Sequence, residues 1–393
     1  MSNRLATRIV LTTLIAAASG CVAHEQVSSE FGPLFVTEQV RHPSSVEFAF
    51  VASDGPRGGT EMFSIDAASG DLKETADEKG GSPWSVAIDA TGKFLYATSS
   101  DSGLYAYRID AANGTLSRVK GSPFYLPSPN YGGLAITNDD LLYASAANPH
   151  GVEGIYGFKI DESTGNVTAI HQRPIPGVDF SLVVQPQGHY LYGPSFVTGL
   201  SSAGVYGFSI NEKTGALTPT PGSPYSSGYD YTGLGGAAID PSGKFLYAAT
   251  TTLIFAYKIN ASNGALSPVP GSPFAGSAKN LAISPDGKFL YGAGDYYGIY
   301  AYTIDATSGA LTLVDGSPFG PVGGDPVDLA VDATNGFLYA AEFGPPSEVG
   351  GWTIDASSGA LQPVTGSPFK ANRTPIAIAT CRFSNGACKS PPN

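Results

Sequence analysis

Histidine beside a carboxylate, and cysteine beside cysteine, are the pairings in this 393-residue chain from which chemistry could be built. Beyond the N-terminal stretch, His150 and Glu153 are the one His–carboxylate pair close in sequence, and they could form a general base with its orienting partner. Asn148, Pro149 and Gly151 surround them, so a solvated loop carries more weight than a catalytic pair. His189 falls in a turn, His171 on an outer strand, and His24 and His42 in an N-terminal tether, so no metal site is expected. No cofactor is expected either: the many glycines recur at strand turns and never open a helix, which a phosphate-cradling loop requires.

Cys381 and Cys388 close an eight-residue loop near the C-terminus. In an oxidising compartment a disulfide there contributes about 2.5 kcal/mol in the chain-entropy model. Cys21 has a different setting. Arg4 and Arg8 precede an apolar run over residues 9–18, and Ala18, Ser19 and Gly20 lead into the cysteine. That pattern resembles a bacterial lipobox, with Ala18 where leucine is preferred, and it implies acylation of Cys21 after cleavage. The expected division is a signal peptide over residues 1–20, a lipid-anchored tether over 21–43, a folded domain over 44–381 and a disulfide-pinned tail over 382–393. The address expected is the bacterial cell envelope, facing the periplasm or the cell surface, with the membrane reached through the lipid anchor alone.

Composition narrows the function classes. With 33 acidic against 21 basic residues the net charge is −12, which repels a nucleic-acid backbone instead of neutralising it. Charged residues make up only 14 %, while there are 50 glycines and 30 prolines, a poor recipe for coiled coils. Apolar residues at 42 %, with 21 Tyr and 20 Phe, suffice for a core.

What must position any site is a repeated unit. Gly70, Gly114, Gly165, Gly215, Gly264, Gly309 and Gly359 recur about 44 to 51 residues apart, each between two alternating stretches. Residues 299–304 (Ile-Tyr-Ala-Tyr-Thr-Ile) and 310–314 (Ala-Leu-Thr-Leu-Val) show the pattern around Gly309. Alternation at period two predicts strands, and glycine supplies the positive φ of a tight hairpin. Upstream of six of them lies a second hairpin, clearest over residues 281–291 (Leu-Ala-Ile-Ser-Pro-Asp-Gly-Lys-Phe-Leu-Tyr), with close copies at 92–96 and 243–247. Its copy at 188–192 carries His189 in the lysine position, the one at 141–143 is degenerate, and the one at 336–339 has lost the lysine. Gly-Ser-Pro-aromatic phrases at 81–84, 121–124, 222–225, 271–274, 316–319 and 366–369 are expected where the outermost strand ends.

Four-stranded sheets that repeat in this way bury their faces by stacking radially, so the fold expected is an all-β, seven-bladed β-propeller of antiparallel blades. Only six inner hairpins accompany seven outer ones. Two orphan strands, residues 46–52 and 376–380, supply the missing one, so the closing blade is shared between the N- and C-terminal strands.

The inner-hairpin phrase, the repeat length and the split blade together resemble the lactonase family of seven-bladed propellers, which includes 6-phosphogluconolactonase and the carboxy-muconate cyclases. The resemblance covers residues 44 to 381. It implies His and Arg side chains just ahead of innermost strands, polarising or binding a lactone. The matching positions are Trp84, Tyr131 with Gly132 and Gly133, Phe180, Gly235 with Gly236, Asn280, Val327 and Pro375. None is His or Arg; Lys279 and Arg373 are the nearest basic residues. His150, Glu153 and Arg373 are therefore the catalytic candidates, and Trp84, Tyr131, Asp179, Lys279, Asp295, Tyr296, Asp325 and Glu342 the ligand-binding ones. The leading expectation is a monomeric ligand-binding or protein-interaction module that presents one face to a small molecule, glycan or envelope protein. A sugar-lactone hydrolase and a purely structural envelope protein are the alternatives.

Overall fold

The structure is a computed structural model that describes residues 45–55, 58–100, 103–124, 132–146, 154–170, 181–195, 204–227, 235–294, 298–320, 324–384 and 387–389. They form seven antiparallel sheets arranged as the blades of a propeller. Blade 1 comprises Pro83–Ile88, Phe94–Ser99, Gly103–Ile109 and Leu116–Arg118, from the axis outward. Blade 2 follows with Leu134–Ile136, Leu141–Ala146, Gly154–Ile160 and Val167–Ala169, and blade 3 with Val183–Val184, Tyr190–Ser195, Gly204–Ile210 and Leu217–Pro219. Blade 4 is Ala237–Ile239, Phe245–Ala249, Leu253–Ile259 and Leu266–Pro268. Blade 5 is Leu281–Ile283, Phe289–Ala293, Ile299–Ile304 and Leu311–Leu313, and blade 6 Asp325–Val331, Phe337–Phe343, Glu348–Ile354 and Leu361–Pro363.

Blade 7 is built from both ends of the domain. Its innermost strand is C-terminal, Thr374–Ser384, and pairs with Ser45–Asp54, which Gly59–Ile65 and Leu72–Lys79 follow outward. Thr374–Ser384 also packs against the inner strands of blades 6 and 1, which closes the ring. The two orphan strands thus meet, and the C-terminal one runs longer than its apolar pattern suggested. Beyond Cys381 it continues to Ser384 and turns back as Ala387–Lys389, paired along its inner edge.

All seven outer-hairpin glycines have positive φ, between 69° and 77°. At Gly70 the geometry is set by Asp66, whose Oδ1 accepts the Ala68 and Ser69 amides while its carbonyl accepts the Gly70 amide. The glycine also touches the neighbouring blade: a Cβ on Gly70 would lie 2.3 Å from the Phe337 ring. In the blade 6 inner turn, Asn335 takes the left-handed conformation (φ 61°), leaving Gly336 in the lysine position.

The proline phrases interrupt the outermost strands instead of ending them. After Leu116–Arg118, Phe124 bridges back to Leu104 on the third strand, and Tyr225–Ser226, Phe274–Ala275 and Phe369–Lys370 pair likewise in blades 3, 4 and 6. Across the gap, the serine hydroxyl accepts the third-strand amide that the strand would have bonded: Ser122 from Ala106, Ser272 from Ala256, Ser317 from Ala301. The first phrase differs, because blade 7's outer strand is continuous. There Pro83 opens the innermost strand of blade 1, and Trp84 goes to the axis.

Apolar side chains between successive blades form the core, with a buried cluster at each seam of the ring. At six seams a tyrosine from the second strand of one blade reaches the next blade and donates its hydroxyl to the outer-hairpin glycine carbonyl. The bonds are Tyr96 to Gly165, Tyr143 to Gly215, Tyr192 to Gly264, Tyr247 to Gly309, Tyr291 to Gly359 and Tyr339 to Gly70, at 2.7–3.2 Å. Between blades 7 and 1 the equivalent residue is Phe50.

Candidate functional site

Where the innermost strands converge they surround a cavity of about 510 Å³ on the propeller axis. All seven blades contribute to its wall. It opens on the face that carries the second-to-third-strand and blade-to-blade connections, as Thr251 and Phe343 at its rim show. The wall is mostly apolar, with Leu134, Val183, Leu281, Leu329, Ile376 and Ile378 among its residues. Gly132, Gly133, Gly235 and Gly236 also belong to the wall; a Cβ on Gly236 would sit 2.0 Å from Asn280 Oδ1. Glycine keeps that wall thin.

The polar side of the cavity is a chain of hydrogen bonds through three blades. Asn280 of blade 5 donates its amide to Asp328 Oδ1 of blade 6, and Asp328 Oδ2 accepts the Ile378 amide of blade 7 at 2.8 Å. The innermost strand leaves such amides unpaired on its axial edge, so a carboxylate from the neighbouring blade can accept one. Burial in the ring pushes the Asp328 carboxyl up to about 7, although the bonds from Ile378, Leu329 and Asn280 pull the other way. The position matched by repeat counting was Val327. Asp328, not Val327, occupies the place one blade on from Asn280: it pairs with Ala341 directly before Leu329, and the bulge between Pro326 and Asp328 lies ahead of it. The signal was available in the sequence, since Asn280 and Asp328 lie 48 residues apart, one repeat.

The ligand-binding candidates within the described residues fall into two groups. Trp84 and Lys279 line the cavity. Lys279 Nζ contacts Asp325 Oδ2 at 2.6 Å, an ion pair between blades 5 and 6. Glu342 is fully buried one strand further out, where its Oε2 accepts the Gly324 amide. Burial, reinforced by the charges of Glu348 and Asp325, pushes its carboxyl up to about 7.

Arg373 turns away from the axis. Its guanidinium makes a bidentate pair with Asp77 at 2.8 and 2.7 Å and lies 3.8 Å from Glu61, so it ties the start of blade 7's innermost strand to the outer strands of the same blade. His150, Glu153, Tyr131, Asp179, Asp295 and Tyr296 lie outside the described residues, as does Cys21. Cys381 and Cys388 form a disulfide, with Cα atoms 5.7 Å apart. Among the described residues no three His, Cys, Asp or Glu side chains gather as a metal site, and no helix is long and apolar enough to cross a membrane.

The sequence model of the lactonase seven-bladed β-propeller family matches this chain over residues 182–295 and 249–373. No curated protein matches it. Solved structures with the same fold include a protein from Bacteroides fragilis proposed to be a 6-phosphogluconolactonase, 20 % identical, with a TM-score of 0.68 over 86 % of this chain and 98 % of that one. A second is the periplasmic gluconolactonase PpgL of Pseudomonas aeruginosa, 17 % identical, with a TM-score of 0.68 over 85 % of this chain and 99 % of that one. Seven four-stranded blades and a closing blade shared by the two ends make this protein a seven-bladed β-propeller, and the second half of its chain is similar to the lactonase family.

Proposed function

We propose that the protein takes a lactone into its axial cavity and hydrolyses it, with Asp328 as general base. The carrying observation is one desolvated carboxyl that faces a largely apolar cavity, held in direction by Asn280 and Ile378. With its pKa near 7 it is part ionised at neutral pH and able to accept a proton from water. As the water oxygen bonds to the lactone carbonyl carbon its proton passes to Asp328. The ring C–O bond then breaks, and the proton moves to the departing alkoxide oxygen, giving the hydroxy acid. The family match and the fold shared with gluconolactonases support the substrate class.

The test is hydrolysis of a panel of lactones by the purified mature protein and its Asp328→Asn variant. The wild type should exceed the spontaneous rate, with kcat/KM rising as pH passes through about 7; the variant should fall to background. Equal turnover by the two removes Asp328 from the mechanism.

Capture without turnover is the second reading, favoured because both Asp328 oxygens already accept hydrogen bonds. It predicts saturable binding of lactones with no hydrolysis. In either case we place the protein in the envelope through an acylated Cys21. Release of a Cys21→Ser variant from the membrane fraction would support that address, and retention would refute it.

A further inference from the structure

The charges around the axial cavity are unequal. Among the described residues that line it, Lys279 and Asp328 are the ionisable ones, and Lys279 already faces Asp325 across 2.6 Å. Asp328 has hydrogen-bond donors on both oxygens but no cation among its described partners. The remaining wall is largely hydrocarbon, and at the mouth Phe343 stands 49 % exposed, a large apolar side chain left in contact with water. A ligand entering here covers Phe343 and the aliphatic wall. If it carries an anion, that charge must sit in a low-dielectric space beside a carboxylate.

We propose that Asp328 and the apolar wall make this site selective for uncharged, hydrocarbon-bearing lactones over phosphorylated or carboxylated ones. The inference rests on the lactone-binding reading and deepens it. The same arrangement acts on the product. Ring opening converts a neutral ester into a hydroxy acid whose new carboxylate, once ionised, is repelled by Asp328, so substrate is retained and product expelled by one charge. A site built for a phosphosugar needs the opposite, a cation free to meet the phosphate.

The experiment reads equilibrium binding, so it does not depend on turnover. The probes are two unreactive δ-lactams with the same alkyl chain, one ending in a methyl group and one in a carboxylate, titrated calorimetrically into the mature wild type and Asp328→Asn. The expected result is saturable binding of the neutral lactam, with the carboxylated one about tenfold or more weaker. In Asp328→Asn that gap should close. Should Asp328→Asn fail to fold, Lys279→Met serves instead, and removal of the cation should widen the gap. Equal or tighter binding of the carboxylated lactam overturns the selectivity while leaving lactone binding standing. So does a gap that neither variant changes. Failure of both lactams to bind a folded wild type overturns the lactone-binding reading and this inference with it.

Discussion

Blade 7 is held on its two sides by different chemistry. Toward blade 6 the apolar cluster is joined by polar bonds: Tyr339 donates to the Gly70 carbonyl, Glu47 accepts the Ala333 amide at 2.9 Å, Thr380 donates to the Val331 carbonyl and Asp328 accepts the Ile378 amide. Toward blade 1 the tyrosine position is Phe50, and the seam is a cluster in which Phe48, Phe50 and Phe383 join Cys381 and Cys388. The Phe48 and Phe383 rings meet edge to face at 6.0 Å, and Cys388 abuts the inner turn of blade 1 at Gly92. A ring that closes without a covalent link has one joint where chain connectivity gives no help. Here that joint is made of a strand pair inside blade 7, backed on one side by buried directional bonds and on the other by packing against a cross-linked hairpin, with Arg118 of blade 1 donating to the Lys79 carbonyl at the outer edge.

The largest effect is expected where that hairpin touches blade 1. Gly92 and Gly188 occupy the same inner-turn position, with φ of 69° and 82°. A Cβ on Gly188 would meet nothing nearer than 3.9 Å, whereas one on Gly92 would lie 1.7 Å from the Cys388 Cβ. Gly188→Ala should therefore cost the left-handed backbone penalty alone, about 1–2 kcal/mol. Gly92→Ala should cost that plus overpacking, about 1–3 kcal/mol more. Denaturant unfolding of the two variants measures the difference; equal costs would remove the C-terminal hairpin from the seam.

Reduction of Cys381–Cys388, or its replacement by serines, comes next at about 2.5 kcal/mol for so short a loop. If the bond supports the joint, hydrogen exchange should quicken in blades 7 and 1 and stay unchanged in blades 3 and 4. Uniform quickening would mean that the disulfide acts on the unfolded chain alone.

The seam with blade 6 should respond to pH. Glu47 and Asp328 lie in it and Glu342 close by, and burial pushes each carboxyl up to about 7. Between the unfolded carboxylate range near 4–4.5 and pH 7 the folded state therefore holds more protons than the unfolded one. Stability must then fall as pH rises through that window and level off above it. Tm should be higher at pH 5 than at pH 8, with a shallower slope in Glu47→Gln. A Tm that rises over this range would contradict the burial assigned to these groups.

How much of this was legible beforehand follows the periodicity. The seven hairpin glycines and two orphan strands could be read because each obeys a rule that holds within one repeat: a left-handed turn, or an alternation lacking its partner. Asp328 was legible by the same rule, since residues 280–283 (Asn-Leu-Ala-Ile) and 328–331 (Asp-Leu-Ala-Val) align one repeat apart, and the count that pointed to Val327 stopped one residue short. Arg373 was placed correctly along the chain but not in direction. Its partners Asp77 and Glu61 lie in strands from the opposite end of the domain, and only the assembled blade brings them together. Trp84 is a third case, since the phrase that puts Phe124 on an outer edge sends Trp84 to the axis once the preceding strand is uninterrupted.

The smallest effects test whether the two kinds of seam can be interchanged. Tyr192→Phe deletes a 2.7 Å bond to the Gly264 carbonyl and should cost about 1 kcal/mol, since a buried acceptor loses its donor while packing is kept. Phe50→Tyr is the reverse exchange at the joint. Phe48 contacts Gly114 as Phe94 contacts Gly165, so the ring at position 50 stands where Tyr96 stands one seam on. A hydroxyl there should meet the Gly114 carbonyl and stabilise the protein by about 0.5–1 kcal/mol. Destabilisation instead would show that Phe50 is required, because the cross-linked hairpin presses blade 7 closer to blade 1 than the tyrosine seams allow.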